Sequence, residues 1–257
     1  LMTVSELEGI KKQLSSVEFM PVGATVRALA EHKDEDEIEK IKAAQHITDE
    51  AFTAVVSLLR YDMTEIEVAA EIEYQMKKRG AICPSFETIA VSGTNSSRPH
   101  GVPRNVILEK GFLTMDFGCV YQGYCSDMTR TVVIGKADEE MKRLYNTVLL
   151  AQTTAINSFK VGMLGKDLDK IARDIIDEAG YKGCFGHGLG HGVGVYIHEN
   201  PRVSPAGFTP LTKGHVFTVE PGIYLKGKYG CRIEDMMIVT AEGGVDITKS
   251  RKDLTEI

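Results

Sequence analysis

The order of predicted elements repeats once along the chain, and this repeat limits the possible folds more than any other feature. Two helices, a strand and a hairpin are predicted between residues 34 and 135, and the same order recurs between 138 and 240. Amphipathic helices and half-apolar strands each need a partner that covers their apolar face. We therefore predict an α+β fold in which two similar halves pack together with a site between them.

The predicted helices carry recognisable start and stop signals. Asp34 with Glu37, and Thr64 with Glu67, have the spacing of capping boxes, in which side chains bond to free backbone N–H groups at a helix start. Gly80 follows the second helix, at a position where a left-handed residue is favoured. Apolar periodicity predicts helices over residues 34–59, 63–80, 138–159 and 165–180.

Composition excludes several classes of partner. The 257 residues, 43% of them hydrophobic, suffice for a sizeable core in one large domain or two small ones. A net charge of −6 provides no general surface for nucleic-acid phosphates. No apolar run approaches the ~20 residues that span a bilayer, and the N-terminal residues lack the features of a signal peptide. Five scattered cysteines without a CxxC pair are typical of reduced thiols, so we expect a cytoplasmic protein that binds neither nucleic acid nor membrane.

The predicted hairpin of the first half brings two carboxylates onto one face. A two-residue turn at Gln122-Gly123 places Asp116 opposite Thr129. Asp127 then lies diagonally from Asp116, roughly 7–8 Å away at the backbone, so that both carboxylates can converge on one ion. The alternative is that the two acids are simply solvated. The opposite face of the hairpin is apolar and carries Leu113, Met115, Phe117, Met128 and Val132.

The second half contains a similar pair of acids. Glu220 in FTVEPG and Glu234 in RIEDM are each embedded in apolar residues, where a charged side chain is rarely buried without a partner. Four carboxylates in one pocket would repel one another and raise one another's pKa values. Two divalent cations would relieve that repulsion, because four negative charges would then meet four positive charges.

A glycine-rich stretch, HGLGHGVGVYIHENP, contains His187, His191 and His198. In an extended segment His187 and His191 are separated by about 13 Å, and the glycines between them disfavour a helix. We therefore expect one histidine to be a metal ligand and the others to contact substrate, with the glycines leaving room for a ligand against the backbone. The alternative is a glycine-rich turn with incidental histidines.

Four segments resemble the successive metal motifs of the pita-bread metallopeptidases, a family that includes methionine aminopeptidases, Xaa-Pro aminopeptidases and prolidases. These segments are DFGCVYQGYCSDMTRT, HGLGHGVGVYIHENP, VFTVEPGIY and RIEDM. The resemblance covers roughly residues 34–250 and implies a pita-bread fold, with a pseudo-twofold repeat of helices around a curved antiparallel sheet. It also implies a catalytic domain over 34–257, preceded over 1–33 by a residual segment of another domain, and a homodimer for the full-length protein.

The resemblance further implies a dinuclear metal centre. Asp116 would bind one ion, and Asp127 and Glu234 would bridge both ions. His191 and Glu220 would complete the coordination of the second ion. Oxygen-rich ligation with one imidazole suits manganese, cobalt, iron or zinc, of which manganese is favoured. A water bridging the two cations would be ionised and would attack the peptide carbonyl.

The same resemblance assigns roles to the side chains around the metals. Glu220 would also be the general base, and His198 would stabilise the developing oxyanion or orient the carbonyl. His187 matches a family position that contacts the substrate, and we expect it to take part in catalysis. Substrate-binding roles are expected for His100, Tyr224 and Arg232.

The motifs RIEDM and SDMTRT resemble those of the Xaa-Pro peptidases more than those of the methionine aminopeptidases. This branch predicts hydrolysis of the bond between a first residue and a following proline. We place an Xaa-Pro aminopeptidase slightly ahead of an Xaa-Pro dipeptidase (prolidase) that acts on dipeptides only. The remaining alternative is a non-catalytic binding protein of the same fold, but such members lose metal ligands, and this chain has all five.

Overall fold

The computed structural model describes residues 2–257 and divides the chain into two units, one ending at Ala30 and the other comprising Glu31–Ile257. The first unit holds helix α1, Val4–Gln13, and most of helix α2, Gly23–Glu31. None of its described residues is buried. The second unit holds the remaining elements and every predicted site residue. The predicted domain boundary between residues 33 and 34 stays a prediction.

The helices of the second unit form the two predicted pairs. Asp34 and Thr64 each begin a helix with a complete capping box, as expected. Gly80 has a φ of +103°, the left-handed conformation predicted after the second helix. The last helix ends earlier than predicted and continues as a π-helical turn, Asp177–Tyr181. The four helices are α3 (Glu35–Leu58), α4 (Glu65–Lys78), α5 (Glu139–Ser158) and α6 (Gly165–Ile176).

Thirteen short strands complete the second unit, and every pairing between them is antiparallel. In the first half these are β1 (Cys83–Pro84), β2 (Ile89–Ser92), β3 (Gly111–Phe117), β4 (Cys119–Tyr121), β5 (Tyr124–Cys125) and β6 (Met128–Ile134). In the second half they are β7 (Gly190–Gly192), β8 (Glu199–Val203), β9 (Val216–Val219), β10 (Gly222–Leu225), β11 (Tyr229–Arg232), β12 (Asp235–Val239) and β13 (Gly244–Asp246).

The register predicted for the first hairpin is confirmed. In the β3–β6 ladder Asp116 lies opposite Thr129, and in the β4–β5 ladder Tyr121 lies opposite Tyr124. Both residues of the Gln122-Gly123 turn have positive φ, as a tight two-residue hairpin turn of this type requires. The turn chemistry therefore sets which face of the hairpin carries Asp116.

Each half has a strand pair that is interrupted at its acidic residues. In the first half the break falls between β3 and β4, where Gly118 packs so closely that a Cβ would lie 1.8 Å from the Ser126 carbonyl oxygen. Asp127 lies opposite this break, in the segment between β5 and β6. In the second half Glu220 follows β9 and Glu234 precedes β12, again between two ladders. The breaks free these carboxylates from regular strand geometry.

The core lies between the helices and the sheets. The predicted apolar face of the first hairpin is buried against α3 and α4, and a second cluster joins α5 and α6 to the strands of the second half. Because side chains alternate along a strand, the face of β3 that carries Asp116 points away from the first of these clusters. The two halves meet where the Glu234 N–H donates to the Thr129 carbonyl at 3.1 Å. The acids of both halves are thereby brought to one place.

Candidate active site

A cavity of about 500 Å³ lies where the interrupted strands of the two halves meet. Its walls include two segments in which only His100 was predicted to have a role in the site, namely residues 86–89, which belong to a predicted strand, and residues 99–103. Tyr224 is not among the described residues that line the cavity. The predicted site residues in its lining are His100, Asp116, Asp127, His187, His191, His198, Glu220, Arg232 and Glu234.

Three predicted metal ligands are close enough to share an ion. Asp127, His191 and Glu234 each present a ligand atom, and these atoms all lie within 4.8 Å of one another. The Nε2 atom of His191 is 3.5 Å from Asp127 Oδ2 and 3.4 Å from Glu220 Oε1. Such separations are longer than hydrogen bonds, and a cation between these atoms would contact all of them.

The tautomer of His191 suits metal binding. Its Nδ1 atom lies 3.0 Å from the Gly192 carbonyl oxygen, which can only accept, so Nδ1 carries the proton. In the neutral ring Nε2 is then a lone pair that faces carboxylate oxygens. Burial lowers the pKa of His191 and so favours this neutral form. A backbone carbonyl that fixes the second ring nitrogen is typical of metal-bound histidines.

The carboxylates around His191 lack the positive charge that their burial requires. Burial, followed by the charges of Glu234 and Asp116, raises the pKa of Asp127 well above its usual value. Burial and the charge of Glu220 do the same for Glu234, and burial raises the pKa of Glu220 to about 8. The buried Oδ1 of Asp116 has no hydrogen-bond partner among the described residues. The donor set therefore fits a divalent cation.

Arg232 is the one guanidinium that lines the cavity among the described residues, and its donors are already engaged. It bonds to Asp116 Oδ2 at 2.5 Å, Tyr224 Oη at 2.6 Å and Thr129 Oγ1 at 2.9 Å. A fourth bond, at 3.2 Å, reaches the carbonyl of Pro99 beside His100. One bound guanidinium cannot neutralise four carboxylates, so the excess negative charge remains for a ligand.

His187, Tyr224 and Arg232 form a hydrogen-bonded chain. The Nδ1 of His187 donates to the Gly188 carbonyl at 2.8 Å, which leaves Nε2 to accept from the Tyr224 hydroxyl at 2.9 Å. The Tyr224 oxygen in turn accepts from Arg232. Burial and the charge of Arg232 lower the pKa of His187 to about 3, so the ring is neutral. Tyr224 is thus connected to the cavity through its hydrogen bonds to His187 and Arg232, which line it.

His198 and His100 are less constrained. The His198 ring lies against the His191 ring, with centroids 4.3 Å apart. Neither His198 nor His100 has a side-chain hydrogen bond among the described residues. Both therefore keep ring nitrogens available to a substrate in the cavity.

Comparison with known proteins identifies the family. The sequence profile described as metallopeptidase family M24 matches residues 39–241. The chain belongs to this family. It is 44% identical over 249 residues to the Xaa-Pro dipeptidase of Pyrococcus horikoshii, which covers 96% of this chain and 71% of the relative. It is also 41% identical over 254 residues to the uncharacterized peptidase YqhT of Bacillus subtilis, with 98% and 72% covered.

Solved structures support the fold of this M24 metallopeptidase. The Xaa-Pro dipeptidase from Bacillus anthracis superposes with a TM-score of 0.97 at 44% identity, covering 100% of this chain and 72% of that one. The X-Pro aminopeptidase from Thermotoga maritima gives 0.95 at 41% identity, covering 99% and 73%. These matches confirm the predicted α+β pita-bread fold and the predicted metallopeptidase family, which implies a divalent metal. Among the described residues, no helix combines the length and apolarity needed to cross a membrane.

Two threonines that hold carboxylates in this M24 site were not predicted from the sequence. Thr129 donates to Glu234 at 2.6 Å, and Thr218 donates to Glu220 at 3.1 Å. Thr218 also accepts a bond from the His191 backbone N–H at 3.1 Å. The available signals were the position of Thr129 opposite Asp116 and the two-residue spacing of Thr218 and Glu220, each of which places both side chains on one face.

Proposed function

We propose that this M24 metallopeptidase hydrolyses the bond between a first residue and a following proline, and that it acts as an Xaa-Pro dipeptidase. The observation that carries the proposal is the set of buried carboxylates around the neutral His191 ring in one cavity. Relatives named Xaa-Pro dipeptidase favour the dipeptidase over the aminopeptidase that sequence analysis placed slightly ahead. The similar structure named X-Pro aminopeptidase keeps that activity as the second candidate.

The metal centre is proposed to hold two divalent cations, with manganese favoured over cobalt, iron and zinc. Asp116, Asp127, His191, Glu220 and Glu234 would be the ligands, because they converge on one cavity whose single guanidinium, paired with Asp116, cannot balance four carboxylates. When bound, such cations polarise a carbonyl oxygen and lower the pKa of water. The protein supplies their geometry through Thr129 and Thr218, which each fix one glutamate.

The proton transfers fall to side chains of the cavity. Glu220 would accept a proton from the attacking water and return it to the prolyl nitrogen, which leaves as an amine when the C–N bond breaks. His198, with both ring nitrogens free of hydrogen bonds to described residues, would donate to the carbonyl oxygen as negative charge develops there. His187 is fixed by Gly188 and Tyr224, so we propose that it orients the substrate and does not transfer a proton.

The cavity wall suits a proline at the second position. Proline lacks a backbone N–H and has a fixed φ, so a selective site needs an apolar wall and no acceptor at that nitrogen. Phe86, Ile89, Val102 and Pro103 supply apolar lining close to His100. This supports the proposed substrate class without fixing which of these residues contacts the ring.

The position of Arg202 favours a dipeptidase over an aminopeptidase. It lies directly opposite His191 in the β7–β8 ladder, and cross-strand neighbours place their side chains on the same face. Arg202 is exposed and has no ion pair among the described residues. Arg202 does not line the cavity in this structure. From the strand face that it shares with His191, its guanidinium would bind the terminal carboxylate of a dipeptide at the cavity edge, which a longer peptide does not present at that distance.

The proposal is tested with protein freed of metal and then loaded with manganese. We expect cleavage of Gly-Pro and little cleavage of a longer peptide that begins Gly-Pro. Cleavage of both would indicate the aminopeptidase, and cleavage only of a peptide that begins Met-Ala would contradict the Xaa-Pro branch. No cleavage with metal bound would indicate a binding protein.

The role of Arg202 has its own test. Arg202→Met should raise the KM for Gly-Pro about 10-fold, because one charge-assisted hydrogen bond to the substrate carboxylate is lost. Arg60→Met removes an exposed arginine between α3 and α4 that is paired with Asp62 and is not a strand neighbour of any predicted metal ligand, and it should leave KM unchanged. An unchanged KM for Arg202→Met would remove this support for the dipeptidase.

A further inference from the structure

His198 is held differently from the other two histidines of the glycine-rich stretch. Both ring nitrogens of His187 have hydrogen-bond partners, and the Nδ1 of His191 is bonded to Gly192. The His198 side chain has no hydrogen bond within the part of the chain that the structure describes. Among the described residues, its ring contact is with His191, at an interplanar angle of 58°. The position of the His198 ring therefore depends on the backbone that carries it.

The residue that follows His198 is fixed by a buried ion pair. Glu199 accepts a hydrogen bond from the Nζ of Lys33, and the side chains of Lys33 and Glu199 are only 1% and 13% exposed. The carboxylate also lies against Gly194, where a Cβ would come within 2.6 Å of its Oε1 atom. Separating a buried pair leaves an unpaired charge, so the pair holds Glu199 in one geometry.

Lys33 is itself firmly placed. Its backbone N–H donates to the Gly214 carbonyl at 2.9 Å, which ties it to the turn before β9. Two residues earlier, Glu31 accepts a hydrogen bond from the Asn200 side chain at 2.7 Å. The chain around Lys33 therefore contacts both Glu199 and Asn200, the first two residues of β8. These bonds make it a fixed support for the backbone next to His198.

We propose that Lys33 is a positioning residue for His198 and acts through Glu199. The ion pair fixes the start of β8, and this sets where the His198 ring lies over the cavity. The inference rests on the proposed role of His198 in Xaa-Pro hydrolysis. It assigns a function to a residue far from the metal motifs in sequence and outside the lining of the cavity.

Kinetics separate positioning from a merely structural role. Lys33→Met should lower kcat for Gly-Pro about 10-fold or more, because small displacements of a catalytic group are costly and His198 acts mainly in the transition state. The KM and the amount of bound manganese should stay close to wild-type values. Lys33→Arg keeps the charge and should retain most of kcat. Wild-type kcat in Lys33→Met would overturn the proposal.

Further variants control for folding. Lys33→Met leaves the charge of Glu199 buried and is expected to lose stability, whereas the double variant Lys33→Met/Glu199→Gln removes both charges. The double variant should fold and show the same lowered kcat; wild-type kcat in it would overturn the proposal. If it does not fold, Glu199→Gln alone gives the same two outcomes. Lys136→Met, which breaks an exposed pair with Glu256, should keep kcat unchanged.

Failure of the inference is distinguishable from failure of the proposed function. If the wild type cleaves no Xaa-Pro substrate, the proposed function fails. If the wild type is active and the Lys33 and Glu199 variants are equally active, only the inference fails. A crystal structure of the double variant adds a result independent of activity: we expect the His198 ring to be displaced from the His191 ring, and an unmoved ring would contradict the inference.

Discussion

Glu234 and Asp235 are consecutive residues, and both are fully buried, yet their carboxylates lie in opposite electrostatic environments. Asp235 is bonded to Arg130 at 2.7 Å, to Gln152 at 2.6 Å and to Lys252. Burial alone would raise its pKa, but the charges of Arg130 and Lys252 hold it below its usual value. Glu234 has no such cation, and its pKa is raised by burial and by other carboxylates.

This difference distinguishes Asp235, whose carboxylate has a structural role, from Glu234, whose carboxylate is suited to bind a ligand. Consecutive side chains of an extended segment point to opposite faces, so one face of this segment meets the ion network of Arg130, Gln152, Asp235 and Lys252 while the other meets the cavity. The network carries its own positive charge and needs nothing further. The carboxylates of the cavity form a cluster whose charge is balanced only when cations bind.

The largest expected effect is on catalysis through the cavity cluster. Asp127→Asn should lower Gly-Pro hydrolysis by about 1000-fold or more, because a proposed bridging ligand loses its charge. The metal-free variant should be at least as stable as the wild type, since one of several repelling carboxylates is gone. The rate of Gly-Pro hydrolysis after manganese loading tests the effect on catalysis. Urea unfolding of the metal-free protein tests the effect on stability. Near-normal activity would show that Asp127 is not a ligand.

A substitution in the ion network should lower the stability of the fold and leave metal binding intact. Arg130→Met leaves Asp235 without the more deeply buried of its two cations and should destabilise the fold by about 3–5 kcal/mol, the usual cost of breaking a buried pair. The fraction that stays folded should still bind manganese. Urea unfolding gives the stability, and manganese titration of the folded protein gives the affinity. A variant as stable as the wild type would remove the distinction between the two regions.

The first hairpin illustrates how much of this contrast is readable from sequence. The turn at Gln122-Gly123 and the alternation of side chains are local properties, so the placement of Asp116 opposite Thr129 could be predicted. The interruptions at Gly118 and Glu220 could not, because the apolar residues on either side resemble continuous strands. The break at Gly118 depends on its close approach to Ser126 and Ser85, which sequence spacing does not reveal.

The convergence of the two acid pairs was inferred from charge and from family resemblance. Its physical basis is a set of hydrogen bonds between β6 and residues 232–235, among them the bond from the Glu234 N–H to Thr129, and none of them has a signature in either motif. The adjacent Asp235 shows the same limit of prediction from sequence, for a carboxylate that points away from the cavity. Nothing in RIEDM distinguishes the acid that pairs with Arg130 from the acid that faces the cavity, since both partners come from elsewhere in the chain.

The histidines allow a finer separation within the cavity. His198→Ala should leave manganese bound and lower kcat about 100-fold, whereas His191→Ala should weaken manganese binding. Metal titration and steady-state kinetics on both variants distinguish the two roles. Equal loss of metal in the two variants would contradict the assignment of one ligand and one catalytic ring.

The smallest effect is expected at the threonine that supports Glu234. Thr129→Val preserves shape but removes the hydroxyl that donates to Glu234 and accepts from Arg232. Manganese affinity should fall about 10-fold, the lower end of the range for residues that orient metal ligands. Thr114→Val, on the neighbouring strand, removes a buried hydroxyl that bonds to Thr131, and it should leave the affinity unchanged. Equal affinities for both variants would deny Thr129 this role.

We propose above that the uncompensated carboxylates of the cavity form a two-metal centre. A crystal structure of the manganese-loaded protein, with anomalous scattering recorded at the manganese absorption edge, tests it most directly. We predict two anomalous peaks in the cavity, both contacting Asp127 and Glu234, and none in the ion network around Asp235. Manganese bound elsewhere, with the carboxylates of the cavity free of metal, would show that they are not the metal ligands.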